Sequence, residues 1–257
     1  MASSTSSCWA GCLGGCSDKV SREHLVSASL FIGDKVRVQG FPWCKDNPKE
    51  IGISALTAKI LCETHNNVLS PVDTAGAKAF SVFREMMRLT NVRGQMKPRV
   101  WNVVKYRING RPLERWLLKT LINICCNGEY PIGRTSTVSG RPSEQLVRIA
   151  YGLESFEGLA GLHFVVRTGM KYYSDDTVSF SPLIKNGEHI EGGLFRFRGL
   201  LFLLFLEAEG PPVPLSGIYF EGEHVGDAQL NFHNREVSQT TGRFRSQVLT
   251  IDWENAT

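Results

Sequence analysis

The chain has 257 residues, 42% of them apolar and 21% charged, which excludes a disordered or fibrous protein and leaves room for one large domain or two modest ones. Its formal net charge of +4 is mild, and Lys and Arg are spread along the chain, so composition permits nucleic-acid binding without demanding it. The Ser-, Cys- and Gly-rich start lacks the basic segment and apolar stretch of a secretory signal, and the longest apolar run, residues 200–206, is far short of the roughly 20 residues that cross a bilayer. A cytoplasmic protein that does not engage a membrane is expected.

From Cys8 to about Pro71 the chain is dense in Cys, His, Gly and Pro, with only short apolar runs. A segment so poor in core residues needs a metal to hold it. Over residues 74–89, Ala75, Ala79, Val82, Phe83, Met86 and Met87 recur at helical spacing behind Asp73 as N-cap. Arg93-Gly94-Gln95 and Pro98 break the pattern, which puts a boundary between a first unit, 1–92, and a second, 93–257. Residues 100–108 alternate as a strand, Asn109-Gly110 signals a turn, and Pro112 opens a buried helix over 113–126. A short helix over 143–152 follows. Beyond Gly158, apolar runs at 162–167, 177–180, 194–206, 217–220, 229–233 and 246–253, separated by Gly, Pro, Asn and Asp, predict a mostly antiparallel sheet with 200–206 as a central strand. Helices first and strands later make the class α+β.

Seven cysteines stand at 8, 12, 16, 44, 62, 125 and 126, an odd number in a chain with no export signal, which favours metal over a disulfide framework. Zinc takes four Cys or His ligands, supplied as two short-spaced pairs. Cys62 and His65, two residues apart, form the second pair. The first comes from the amino-terminal trio, as Cys12 and Cys16 or alternatively Cys8 and Cys12. Cys44, in the intervening loop, reads as a buried or free thiol, and Cys125 and Cys126, adjacent on an apolar helix, read as core.

Between the two pairs lies Glu23-His24, and directly after His65 comes Asn66. This order resembles the His-Asn-His endonucleases of treble-clef or ββα-metal type, especially bacterial members, over residues 8–73. The resemblance implies a zinc-stapled amino-terminal module followed here by a helix-plus-antiparallel-sheet domain. It further implies His24 as general base, with Glu23 and Asn66 holding a catalytic Mg²⁺ or another divalent cation. Neutral imidazole can take a proton from water, while an oxygen-bound cation stabilises the charge that develops on phosphorus. The implied activity is metal-dependent hydrolysis of phosphodiester bonds in DNA, possible as a homodimer. The alternative is an inactive zinc-binding module that binds nucleic acid or protein.

Asp73 reads as a helix cap or as an orienting acid of the same site. Lys35, Arg37, Lys45, Lys49, Lys59, Arg84, Arg88 and Arg93 are candidates for phosphate contact, with solvated surface charge as the default for each. Glu221, Glu223, His224 and Asp227 form a polar loop with a slight claim to a second metal. No catalytic motif is visible from about residue 95 onward.

Overall fold

The computed structural model describes residues 7–45, 47–97, 100–166, 176–197, 199–210, 219–220, 223–224, 229–232, 236–240 and 246–253. The first third holds strands β1 (Val20–His24), β2 (Lys35–Gln39), β3 (Lys49–Gly52) and β4 (Thr57–Cys62), then helices α1 (Glu63–Val68) and α2 (Ser70–Gln95). Strand β5 (Val104–Asn109) leads into α3 (Gly110–Cys125), and α4 (Glu144–Ala150) follows. The rest is β6 (Gly161–Val166), β7 (Thr177–Lys185), β8 (His189–Phe197), β9 (Leu200–Phe205), β10 (Tyr219–Phe220), β11 (Glu223–His224), β12 (Gln229–Phe232), β13 (Glu236–Thr240) and β14 (Ser246–Asp252). The α+β class is as expected.

Local chemistry sets the helix ends. Asn109 caps α3, its side-chain oxygen accepting from the Arg111 N–H at 3.2 Å, and Ser143 caps α4 through the Leu146 N–H. Helix α2 starts at Ser70, three residues before the expected cap, because Pro71 in a first turn lacks only an N–H that would have no partner there. Asp73 is therefore inside the helix and free to point elsewhere.

Strands β1 and β4 form an antiparallel ribbon, with Val20 opposite Cys62 and His24 opposite Thr57, and α1 follows directly. The chain between them does not stay with that ribbon. Strands β2 and β3 join the sheet of the last third, whose order is β12-β6-β9-β8-β7-β2-β3. Strand β2 runs parallel to β7 from Arg37 opposite Thr177 to Gln39 opposite Ser179. A smaller sheet, β13-β14-β5, contains a second parallel pairing, of β5 with β14. The antiparallel expectation thus holds apart from these two crossovers. Pairings cross the boundary expected near residue 92, and buried side chains from both sides of it form one core.

Residues 194–206 divide between β8 and β9, which pair antiparallel, and β9 is buried from Leu201 onward as a central strand should be. Helices α2 and α3 lie against this sheet through aromatic contacts. The Phe80 ring is 5.3 Å from Trp116, 5.2 Å from Phe197 and 5.9 Å from Phe202. The two helices approach closely at Gly76, where an added Cβ would sit 2.5 Å from the Trp116 ring. Among the described residues no helix is long and apolar enough to cross a membrane.

Candidate metal centre

The amino-terminal segment passes through a short 3₁₀ turn, Gly11–Leu13, and then through Gly14 and Gly15, both with positive φ. Left-handed backbone at two successive residues reverses the chain, and glycine adopts it without strain. That reversal returns Cys16 to the neighbourhood of Cys8. Trp9 fixes the start of the segment, its backbone N–H donating to the Ile60 carbonyl on β4 at 2.9 Å.

Cys62 ends β4 and caps α1, accepting from the His65 N–H, so the side chain of His65 in the first helical turn comes back toward the same point. The sulfurs of Cys8, Cys16 and Cys62 lie 3.4, 3.4 and 3.2 Å from His65 Nδ1. All four donor atoms lie within 4.8 Å of one another. Zinc–sulfur bonds of about 2.3 Å and a zinc–nitrogen bond of about 2.0 Å in a tetrahedron put S and N about 3.5 Å apart. The cluster therefore fits one tetrahedral structural metal ion such as zinc. The Tyr151 ring stands edge-on to His65 at 5.7 Å, and its hydroxyl donates to the His65 carbonyl at 3.0 Å. Burial, with the nearby sulfurs of Cys8 and Cys62 adding to it, pushes the Tyr151 phenol up, so it remains a donor.

Electrostatics within the cluster are uneven. Burial raises Cys62, but N–H groups of His65 and Ser17 directed at its sulfur outweigh that and hold it down at about 6. Burial and the sulfurs of Cys8 and Cys62 push Cys16 up to about 12. A metal ion must displace that proton to bind, which makes occupancy depend on pH.

The first pair differs from both expected alternatives. Cys8 and Cys16 converge, whereas Cys12 is exposed and outside the cluster. Spacing alone could not make that choice, although the Gly14-Gly15 pair just before Cys16 was a visible sign of a reversal. Cys44 is buried with its thiol directed at the Val38 carbonyl, and Cys125 is in the core.

Glu23 does not offer an open carboxylate. It is 5% exposed, and its Oε1 lies 2.6 Å from Lys119 Nζ, which is also 2.6 Å from Asp73 Oδ2. Ser27 Oγ donates to Asp73 Oδ1 at 2.6 Å and accepts from Trp116 Nε1 at 2.8 Å. Asn123 reaches the His24 carbonyl at 3.2 Å and accepts from Trp9 Nε1 at 3.0 Å. The Lys119 ammonium thus stands beside Glu23, where the resemblance implied a catalytic cation. The sign in the sequence was Lys119 itself, a cation placed directly after the apolar run Trp116-Leu117-Leu118 in a buried helix.

His24 ends β1, half-buried, about 14 Å along the ribbon from Cys62's partner Val20 at the strand rise of about 3.4 Å per residue. Among the described residues its ring has no hydrogen-bond partner. Asn66 is half-buried on α1, its carbonyl accepting from the Leu69 N–H. Of the basic candidates, Lys35 pairs with Glu50, Arg88 pairs with Glu85, and Arg93 is buried against Trp101. Arg37, Lys45, Lys49 and Lys59 are exposed. His189 Nε2 donates to the buried Glu207 carboxylate at 2.7 Å. Of the polar loop at 221–227, residues 221, 222 and 225–227 lie outside the described residues.

The chain matches no protein-family model. No curated protein and no solved structure matches it significantly.

Proposed function

We propose that this protein is a zinc-held binding module that grips nucleic acid and does not cut it. The observation that carries this reading is the convergence of Cys8, Cys16, Cys62 and His65 on one tetrahedral site. A structural zinc on those ligands supplies folding free energy to a segment with little core of its own. The ion pair between Glu23 and Lys119 favours binding over cleavage, because it neutralises the carboxylate that hydrolysis would require for a cation. Exposed Arg37, Lys45, Lys49 and Lys59 supply the charges for sequence-independent contact with phosphates.

A second reading, a metal-dependent endonuclease with His24 as general base, has one observation in its favour. The half-exposed His24 ring is free of hydrogen bonds among the described residues.

The test combines elemental analysis with plasmid nicking in Mg²⁺ and salt-dependent DNA binding. The binding module predicts about one zinc per chain, no nicking, and an affinity that falls steeply with salt. Nicking that vanishes in His24→Ala establishes the endonuclease instead, and an absence of DNA binding removes nucleic acid as the partner.

A further inference from the structure

Beyond Gln39, which lies opposite Ser179, β2 parts from β7, and the chain turns away at Gly40, where an added Cβ would overlap the Phe180 carbonyl oxygen. The loop that follows and the segment after α3 border a cavity of about 940 Å³, at the large end of ligand pockets, which span about 300 to 1,000 Å³. Cys125, Phe180 and Ile190 give it an apolar wall. Asn127, Tyr130 and Ser181 also line it, and among the described residues none of these three side chains makes a hydrogen bond. Asn127 is held in the left-handed region, at φ 63°, with its backbone N–H donating to the Gly140 carbonyl at 3.0 Å, so the backbone that carries its amide is fixed. An apolar wall bearing unpaired donors and acceptors suits a planar heterocycle, which has a face to cover and an edge to satisfy. Glu129, on the same lining, is of the type that accepts from the amino group of cytosine, as Asn pairs with adenine.

Charge indicates what such a base is attached to. Lys45 lies on the cavity wall and Lys49 at the other end of the same loop, both exposed and, among the described residues, neither in an ion pair. Trp43 stands between them in the chain, 44% exposed, its carbonyl accepting from Lys49 Nζ at 3.2 Å and its ring 5.6 Å from Phe41. An exposed, braced indole beside unpaired lysines is the combination that holds single strands, the ring stacking a base and the ammonium groups meeting phosphates. A duplex keeps its bases stacked and could use only the charges. Pro182 removes a backbone donor from β7 at the cavity, which counts against an extended peptide pairing there.

We infer that this cavity receives an unpaired base of single-stranded nucleic acid, with Trp43 stacking a neighbouring base and Lys45 and Lys49 taking phosphates. The inference deepens the nucleic-acid-binding reading and rests on it.

The experiment uses the full chain loaded with zinc and follows the fluorescence anisotropy of a labelled single strand of about 16 nucleotides, as DNA and as RNA, and of the matching DNA duplex. Wild type is expected to bind the tighter of the two strands roughly tenfold better than the duplex. Trp43→Ala should weaken strand binding roughly 5- to 100-fold and leave duplex binding unchanged, and Trp43→Phe should recover most of the loss because it restores a ring. Asn127→Gly keeps the left-handed backbone and should weaken strand binding about 3- to 10-fold with the salt dependence unchanged, since no charge is lost. Equal affinity for strand and duplex overturns the inference and leaves the nucleic-acid reading standing. So do variants with native circular dichroism and zinc content that bind the strand as wild type does. Displacement of the strand by an equimolar mononucleotide assigns the cavity to a free nucleotide and overturns the inference too. Where Trp43→Ala does not fold, Asn127→Gly decides by the same criterion. Binding of neither strand nor duplex defeats the proposed function, and the inference with it.

Discussion

At the scale of single residues, the ligand set is the sharpest claim. Cys12→Ala is expected to retain zinc and stability, because the exposed thiol contributes neither donor nor packing, while Cys8→Ala should lose the metal and the order of the first third. Elemental analysis of the two variants side by side decides between Cys8 and Cys12. Adjacent Glu23 and His24 should also separate. Glu23→Ala strands part of a buried charge on Lys119 and is expected to cost about 3 to 5 kcal/mol in denaturant unfolding. His24→Ala removes a half-buried ring without a described partner and should cost under about 1 kcal/mol. The sequence showed the residue types of the site because zinc chemistry admits few of them. It did not show which cysteine, since that depends on where a turn sends the chain, nor that Glu23 faces a lysine nearly a hundred residues away.

At the scale of elements, close approach and turn geometry give measurable costs. Gly76→Ala pushes a methyl into Trp116 between α2 and α3, with an expected loss of about 1 to 3 kcal/mol. Around β7, β8 and β9, burial raises Glu207 but hydrogen bonds from Lys185 and His189 outweigh it and hold its carboxyl below the ordinary value. An acid whose folded value is depressed gives stability that is present above its unfolded value and lost as pH falls through the folded one. Glu207→Gln should therefore flatten the loss of stability on acidification below the ordinary value of 4.5, as followed by Tm against pH. Helices α3 and α4 were legible because Asn109, Pro112 and Ser143 are local signals. Strands β2 and β3 were not, because what makes them strands is β7, far along the chain.

At the scale of the whole molecule, the Cys/His cluster and the large sheet are connected through the segment that carries β2 and β3. Stripping zinc with a chelator is expected to lower Tm and to disturb the sheet as well as the ribbon of β1 and β4, which circular dichroism of the stripped and reloaded protein would show. A fragment ending near residue 92 should fail to fold even with zinc, because β2 would lack its neighbour. Architecture of this kind is the part of the fold least visible in a linear text, since α+β class follows from patterning but the partner of each strand does not.

The parallel pairing of β2 with β7 also has a bearing on biosynthesis. A ribosome releases β2 early and β7 only in the last third of the chain, so the hairpin of β2 and β3 waits long for the neighbour that gives it a place. Until β7 emerges, β2 can pair only with β3, and Val36 and Val38, buried in the folded chain, have no sheet to cover them. Slowed elongation after residue 52 would lengthen this exposure of an unpaired edge.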